Sequence, residues 1–148
     1  SDLFDKNGFI FYSNSNSKKG KAIKENKSVA LNFHWKSLQR QIRIEGNVSL
    51  ISSKQADDYY NTRPLGSRIG AWASLQSEEL DDRSTLKKRV NDFEIKFKSK
   101  NIPRPSHWNG YIVKPELIEF WQEMPFRLHD RVEYKKVSKN WVVRKLFP

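Results

Sequence analysis

The chain has no cysteine. Disulfides, thiolate metal sites and a cysteine nucleophile are therefore excluded, and the redox compartment stays open. Histidine is nearly as scarce: His34, His107 and His129 lie far apart in the sequence, which gives none of the close ligand spacing of a zinc site, and no metal is expected. No apolar run approaches the ~18 residues of a membrane-crossing helix, and Ser1 to Asp5 lack signal-peptide character. These absences lead to the expectation of a cytoplasmic protein without a membrane partner. There is also no internal repeat, low-complexity tract or linker to divide the chain. Its 148 residues suit one domain, and a chain of that size buries roughly two thirds of its unfolded surface.

What is present in excess is positive charge, +11 at neutral pH, together with five Trp. Cations interleaved with aromatic rings supply phosphate contacts and stacking platforms, so a nucleic-acid binder is one function class. The cations are dispersed, however: the longest clusters, Lys18-Lys19, Lys87-Lys88-Arg89 and Lys135-Lys136, hold only two or three charges. An enzyme for anionic small molecules explains the same balance, and no nucleic-acid partner is expected.

The densest stretch is IEFWQEMPFRLHDR, from Ile118 to Arg131. With the strand period of two, Ile118 and Phe120 fall on one face and Glu119 and Trp121 on the other. Met124-Pro125-Phe126 breaks the pattern. Beyond it, strand alternation sets Arg127, His129 and Arg131 on one face, against Leu128, Val132 and Tyr134. At ~6.6 Å between alternate residues this is a cationic ladder about as long as a small phosphorylated molecule. Spacing alone admits either an exposed strand whose cations deter edge pairing or an anion-binding face.

The same run resembles the signature of the pyridoxine (pyridoxamine) 5'-phosphate oxidases: Glu, an aromatic, Trp, a short spacer, then Arg-hydrophobic-His-Asp-Arg. Glu119, Trp121, Arg127, His129, Asp130 and Arg131 occupy its fixed positions. The resemblance extends from Gly8 to Pro148 and implies an FMN-binding split β-barrel with a few helices, one domain over residues 1–148 whose residues from about 108 form a dimerisation and signature region. Residue patterns by themselves reach a mostly β (α+β) chain with about three helices. The resemblance further implies an N-terminal segment, carrying an Arg and a Lys toward the phosphates, that precedes Gly8. Since the only Met is Met124, the expectation is a fragment with weakened FMN retention.

Taken in order, residues 8–14 read as a strand and 18–27 as a short helix capped by Ser17 or Ser15. That helix start, with Lys18 and Lys19, is either a phosphate seat or a solvated cap. The resemblance implies the former, with Tyr12, Ser13, Ser17, Lys18 and Lys19 at the flavin phosphate. Ser13 and Lys18 stand where the family more often has Thr and Arg, and lysine keeps the charge without the bidentate fork. Residues 28–35 and 39–51 read as strands, with a bulge or bend at Gly46. Ser52 to Gln55 fits a capping box for a helix that Pro64 ends, and Tyr59 and Arg63 share one face of it. By resemblance Tyr59, Arg63 and Ser67 hold the substrate phosphate. Gln41, Gln76, Ser77, Trp121 and Arg131 contact the flavin; Ser77 alternatively caps the acidic turn after it. Residues 84–98 read as an amphipathic structural helix, 101–107 as an extended loop and 108–111 as turn-like. A strand at 111–113 precedes the signature, and a hairpin of 132–137 and 141–146 follows it.

Arg127 and His129 are the catalytic candidates, which with Leu128 lie over the substrate ring by resemblance. The implied reaction is FMN-dependent oxidation of pyridoxine 5'-phosphate or pyridoxamine 5'-phosphate to pyridoxal 5'-phosphate, with O2 as acceptor and hydrogen peroxide released. A non-catalytic flavin- or haem-binding split barrel is the other reading. A homodimer is expected, because the family's flavin site draws on two subunits and a lone chain would expose Trp72, Trp108 and Trp121.

Overall fold

The computed structural model describes residues 4–5 and 7–148, with side chains from residue 7 onward. Residues 1–3 of the segment read for signal character lie outside the described residues. The elements are β1 (Phe4–Asp5), β2 (Gly8–Asn14), α1 (Lys18–Glu25), β3 (Ser28–Trp35), β4 (Arg40–Leu50), α2 (Ser53–Thr62), α3 (Leu65–Ala73), α4 (Arg83–Lys96), β5 (Trp108–Gln122), β6 (Asp130–Val137) and β7 (Asn140–Leu146). The strands form one seven-stranded sheet in the order β1-β2-β5-β4-β3, with β6 against β5 and β7 against β6. The β1–β2, β3–β4, β5–β6 and β6–β7 pairs are antiparallel. The sheet does not close on itself among the described residues, and the α+β class expected from sequence is what forms. No described helix is long and apolar enough to cross a membrane.

The chain packs as two compact units: residues 1–9, 26–49 and 112–148, and residues 10–25 and 50–111. The second unit holds the helices. Buried Tyr60, Ile69, Ile102 and Trp108 form its core, flanked by half-buried Tyr12, Tyr59, Trp72, Val90, Phe93 and Phe97. Ser52 caps α2 as its spacing predicts, its Oγ accepting the Gln55 N–H at 3.1 Å. Pro64 does more than end that helix. It opens α3, its carbonyl taking the Ser67 and Arg68 amides, so there are four α-helices rather than about three. Leu65, Ile69, Trp72 and Ala73 do recur at helical spacing, with Ile69 and Ala73 buried, but the segment is only nine residues long and carries Gly66 and Gly70, and Pro is tolerated at a helix start. In α4 the spacing reading holds: Val90, Phe93 and Phe97 turn to the core, and Asp82 caps the first turn.

Three expectations about the strands are corrected. Residues 108–111 are not a turn but the beginning of β5, where the Ile51 side chain packs over Gly110, within 2.2 Å of where a Cβ would lie. Gly46 marks no bulge against β3, whose register runs through it without a slip. It admits β5 instead, a Cβ there falling 2.1 Å from the Lys114 carbonyl oxygen. Finally, Arg127 and His129 are not on a strand. Residues 125–127 form a 3-10 turn with Phe126 and Arg127 both at positive φ, and β6 starts only at Asp130. The proline and the left-handed residues that follow it end the alternation.

The tryptophans expected at the surface are not the exposed ones either. Trp108 is buried at 7 % exposure, and Trp72 and Trp121 are half-buried. Exposed apolar residues include Trp35, Phe126, Trp141, Val142, Val143 and Phe147 of the first unit and Leu50, Leu65, Leu75, Leu80 and Ile95 of the second.

Candidate active site

The residues singled out from sequence fall into three groups, two in the helical unit and one in the strand unit. At the start of α1, Ser17 is fully buried and its Oγ accepts the Gly20 N–H at 3.1 Å. This is an N-cap, and Ser15 is not: its hydroxyl donates to the His107 carbonyl at 3.1 Å. The first-turn amides of Lys18 and Lys19 have no place in the intrahelical ladder, and both side chains are exposed. No acidic residue enters this first turn, so its donors, dipole and two charges all favour an anion. Ser13, also buried, donates to Gln76 Oε1 at 3.4 Å, and that oxygen accepts the Asn14 N–H at 3.0 Å. The Gln76 amide is thereby fixed with its NH2 still available as a donor. Ser77 caps no helix. It sits in a turn at φ 71, which the Glu78 N–H closes onto the Leu75 carbonyl at 2.9 Å.

The second group is carried by α2 and α3. Tyr12 and Tyr59 stack with ring centroids 4.0 Å apart, and Tyr12 stacks on Trp108 at 4.9 Å. Arg63, at the end of α2, lays its guanidinium over the Trp108 ring at 5.0 Å and donates to the Ser67 carbonyl at 3.4 Å. Tyr59, Arg63 and Ser67 are thus brought to one place. Beneath them Tyr60 donates to the Arg68 carbonyl at 2.8 Å, and burial pushes its phenol pKa up, so it stays a neutral donor.

The third group lies around β4, β5 and β6. Gln41 and Trp121 line a groove of about 490 Å³ with Trp35, Leu38, Arg40 and Phe120. Leu128, His129 and Arg131 line another of about 380 Å³, and Asp130 and Val132 belong to both. Arg131 faces Trp121 across the β5–β6 ladder. Its Nε donates to Glu119 and its Nη1 to the Phe147 carbonyl at 2.9 Å. The Glu119 hydrogen bond raises the guanidinium pKa further, so Arg131 is a fixed cation. His129 packs on Trp121 at 4.7 Å between ring centroids, and its Nδ1 accepts the Met124 N–H at 3.1 Å. With Nδ1 held as acceptor, the neutral imidazole carries its proton on Nε2. Arg127 lines neither groove; it is exposed beside them in sequence.

Two residues escape a reading of the sequence by role. Glu119 stands out only as part of a motif, and nothing local says that it orients Arg131, since that depends on strand register. Trp108 has no local signal for its place beneath Arg63, 45 positions away. Among the described residues no cluster of His, Asp or Glu could hold a metal ion.

Comparison with known proteins bears on this arrangement. The family profile for pyridoxamine 5'-phosphate oxidase matches residues 2–97, and that for the pyridoxine 5'-phosphate oxidase C-terminal dimerisation region matches residues 108–148. A pyridoxine/pyridoxamine 5'-phosphate oxidase of Granulibacter bethesdensis is 53 % identical over 141 residues, covering 95 % of this chain and 66 % of that protein. One of Allorhizobium ampelinum is 48 % identical over 147 residues, covering 98 % and 71 %. The chain thus spans about two thirds of the length of its curated relatives. Among solved structures, PhzG from Burkholderia lata, in complex with tetrahydrophenazine-1-carboxylic acid, superposes with a TM-score of 0.89 at 29 % identity, covering 98 % of this chain and 71 % of that one. A pyridoxamine 5'-phosphate oxidase-related, FMN-binding protein from Nostoc punctiforme has a TM-score of 0.75 at 14 % identity, covering 100 % and 77 %, a likeness of fold alone. With two adjoining profiles accounting for nearly all of its length and relatives near half identical across it, the chain belongs to the pyridoxamine 5'-phosphate oxidase family.

Proposed function

We propose that this chain is the FMN-binding domain of an oxidase that converts pyridoxine 5'-phosphate or pyridoxamine 5'-phosphate to pyridoxal 5'-phosphate, reducing O2 to hydrogen peroxide. The observation that carries the reading, beyond family membership, is that Arg63, brought beside Tyr59 and Ser67, has no carboxylate partner among the described residues. Arg43, Arg104, Arg131 and Arg144 each pair with a carboxylate; Arg40, Arg63, Arg68, Arg83, Arg89 and Arg127 do not, and of these Arg40, Arg68 and Arg89 are tied to other acceptors by hydrogen bonds of 2.5 to 3.1 Å. An arginine left without an internal anion beside Tyr59 and Ser67 is disposed to receive one from a ligand.

The residues present suit FMN. A dianionic phosphate matches the acid-free start of α1 with Lys18 and Lys19, Ser17 acting as the cap that shapes the turn. To that seat we assign Tyr12, Ser13, Gln76 and Ser77 as well, Gln76 being joined by hydrogen bonds to Ser13 and Asn14. A flat, largely apolar ring with polar edges matches the groove of Gln41 and Trp121, with Arg131 on the neighbouring strand as its fixed cation. The bound flavin would supply the redox chemistry, accepting a hydride from the substrate's C4' carbon and passing two electrons to O2, which takes up two protons as peroxide; the substrate's hydroxyl or amine gives up the other proton, and water hydrolyses the imine left by pyridoxamine 5'-phosphate with release of ammonia. The protein's part is to hold and to orient. Tyr59, Arg63 and Ser67 bind the substrate phosphate, and Leu128 packs against its ring. Arg127 offsets negative charge that develops on the 3-oxygen, and His129 donates from Nε2 without needing to be charged.

The test is direct. FMN-loaded protein should show a visible flavin spectrum and release peroxide when given pyridoxine 5'-phosphate. A flavin spectrum with no peroxide would leave only a flavin-binding module.

Two expected outcomes follow from this reading. Because Glu119 supplies the carboxylate that hydrogen-bonds and orients Arg131, Glu119→Gln should weaken FMN binding roughly 10-fold in a fluorescence titration. An unchanged affinity would remove Arg131 from the flavin site. The protein should also be a homodimer, since Trp35, Trp141, Val142, Val143 and Phe147 leave the strand unit with much exposed apolar surface. Light scattering at micromolar concentration should give twice the chain mass; a monomer that retains flavin sinks the dimer.

A further inference from the structure

We propose that Trp108 is a positioning residue for the substrate phosphate: its indole face holds the Arg63 guanidinium in the plane from which it forks onto phosphate oxygens. This rests on the reading above that Tyr59, Arg63 and Ser67 bind that phosphate.

Arg63 has a fixed backbone and a loose side chain. Its amide donates to the Tyr60 carbonyl at 3.1 Å and its carbonyl accepts Arg68 Nε at 3.1 Å, which anchors the Cα at the end of α2. The guanidinium itself has one long hydrogen bond, 3.4 Å to the Ser67 carbonyl, and no carboxylate among the described residues. A single bond of that length does not fix a planar group on a flexible stem. What remains to orient it is the indole at 5.0 Å. A carboxylate partner would occupy the in-plane N–H groups that a phosphate needs. A ring beneath the plane leaves them free.

Trp108 is itself held on every side. It is 7 % exposed, its amide donates to the Pro105 carbonyl at 3.0 Å, and its carbonyl accepts Arg104 Nη1 at 2.7 Å. Arg104 is in turn paired with Asp57 at 2.7 Å, and the Tyr60 ring meets the indole edge-on at 5.3 Å. Tyr12 stacks on Trp108 within 9° of parallel and on Tyr59 within 10°. Tyr12 therefore packs against both the ring under the cation and the tyrosine assigned to the phosphate, whose own centroids are 6.3 Å apart. Tyr12 and Trp108 fix the spacing of Tyr59 and Arg63 without touching the ligand.

Trp108 is also part of the core, so the test must separate positioning from stability. In FMN-loaded protein, the affinities for pyridoxal 5'-phosphate and for pyridoxal, which lacks the phosphate, are measured by absorbance titration. Trp108→Leu is expected to weaken pyridoxal 5'-phosphate binding roughly 3- to 30-fold, leave pyridoxal binding unchanged, and raise KM more than it lowers kcat. Trp108→Phe, which keeps an aromatic face, should recover most of the loss. In an Arg63→Ala background neither substitution should weaken binding further. If Trp108→Leu does not fold, Trp108→Phe with and without Arg63→Ala carries the same comparison. Equal losses for the two ligands, or the same loss in the Arg63→Ala background, would show that Trp108 acts only through the core and overturn the inference. If Arg63→Ala leaves pyridoxal 5'-phosphate affinity intact, the assignment of the phosphate seat fails first.

Discussion

Replacing Arg127 with lysine is expected to cut turnover on the order of 10²-fold with FMN content unchanged, the size of effect typical of losing one aligned donor to developing charge. Arg131→Lys is expected to do the opposite, lowering flavin content first. The two arginines are four positions apart, and their surroundings separate them. Arg127 is exposed, has no carboxylate partner among the described residues, and stands at φ 59 directly after Phe126 at φ 61. Two consecutive non-glycine residues in the left-handed region are costly, and such backbone persists where its surroundings hold it. On the proposed reading the Arg127 guanidinium is the group that holds the substrate's 3-oxygen, and an ammonium in its place keeps the charge while losing the plane. Arg131 instead spans two fixed acceptors, Glu119 and the Phe147 carbonyl, from within β6. A lysine cannot serve both with one nitrogen. Peroxide release and flavin absorbance per mole of protein, measured on both variants, decide the matter. Flavin loss in Arg127→Lys with only turnover loss in Arg131→Lys means that the two roles are reversed.

The parts of this fold that were legible in the sequence are those fixed within a few residues. The strands at Gly8–Asn14 and Ser28–Trp35, the Ser52 cap, and the Val90, Phe93 and Phe97 face of α4 each announce themselves through local period or local hydrogen-bond chemistry. So does the last hairpin, where Ser138 at φ 59 turns between paired Val137 and Asn140. What was not legible is set by distant partners. Helix α3 buries Ile69 and Ala73, four apart, but is too short and too rich in glycine for that spacing to stand out beside Pro64. Residues 108–111 are the start of a strand whose partners are distant in sequence, the Gly110 carbonyl accepting the Ile51 N–H at 3.0 Å. The ladder of Arg127, His129 and Arg131 fails because Pro125 and two left-handed residues override alternation, a conflict that residue types alone do not reveal. The candidate site was legible as a set of residue types through family resemblance. How those residues are grouped, with Glu119 on Arg131 and Trp108 under Arg63, required coordinates.

Gly46 provides the largest expected effect on stability. A strand glycine suggests a bulge, yet the pairing of Val29 with Gly46 and of Ser28 with Asn47 continues the β3–β4 register unbroken. No unusual φ calls for glycine here. The reason is space: a Cβ would lie 2.1 Å from the Lys114 oxygen, 2.8 Å from its carbonyl carbon and 3.0 Å from the Pro115 Cα. All three atoms are backbone, so no side-chain rotation relieves the overlap, and β5 must move off β4. Pro115 adds to the difficulty, since it has no N–H with which to re-form a ladder bond after a shift. Gly46→Ala should therefore cost about 3 kcal/mol, the upper range for overpacking. For a chain of this size that lowers Tm by roughly 6–12 °C. Gly66→Ala gives the contrast. A Cβ at Gly66 meets nothing within 4 Å, and the residue lies in α3. The same substitution there should raise stability by up to about 1 kcal/mol, through helix propensity and a less flexible unfolded chain. Melting curves of the two variants beside the parent test the idea, and equal shifts, or an unchanged Tm for Gly46→Ala, would mean that the approach of β5 to β4 is not what requires glycine. Gln41 and Trp121 line their groove from these same two strands, so a widened β4–β5 contact in Gly46→Ala should also lower flavin retention at temperatures where the variant remains folded.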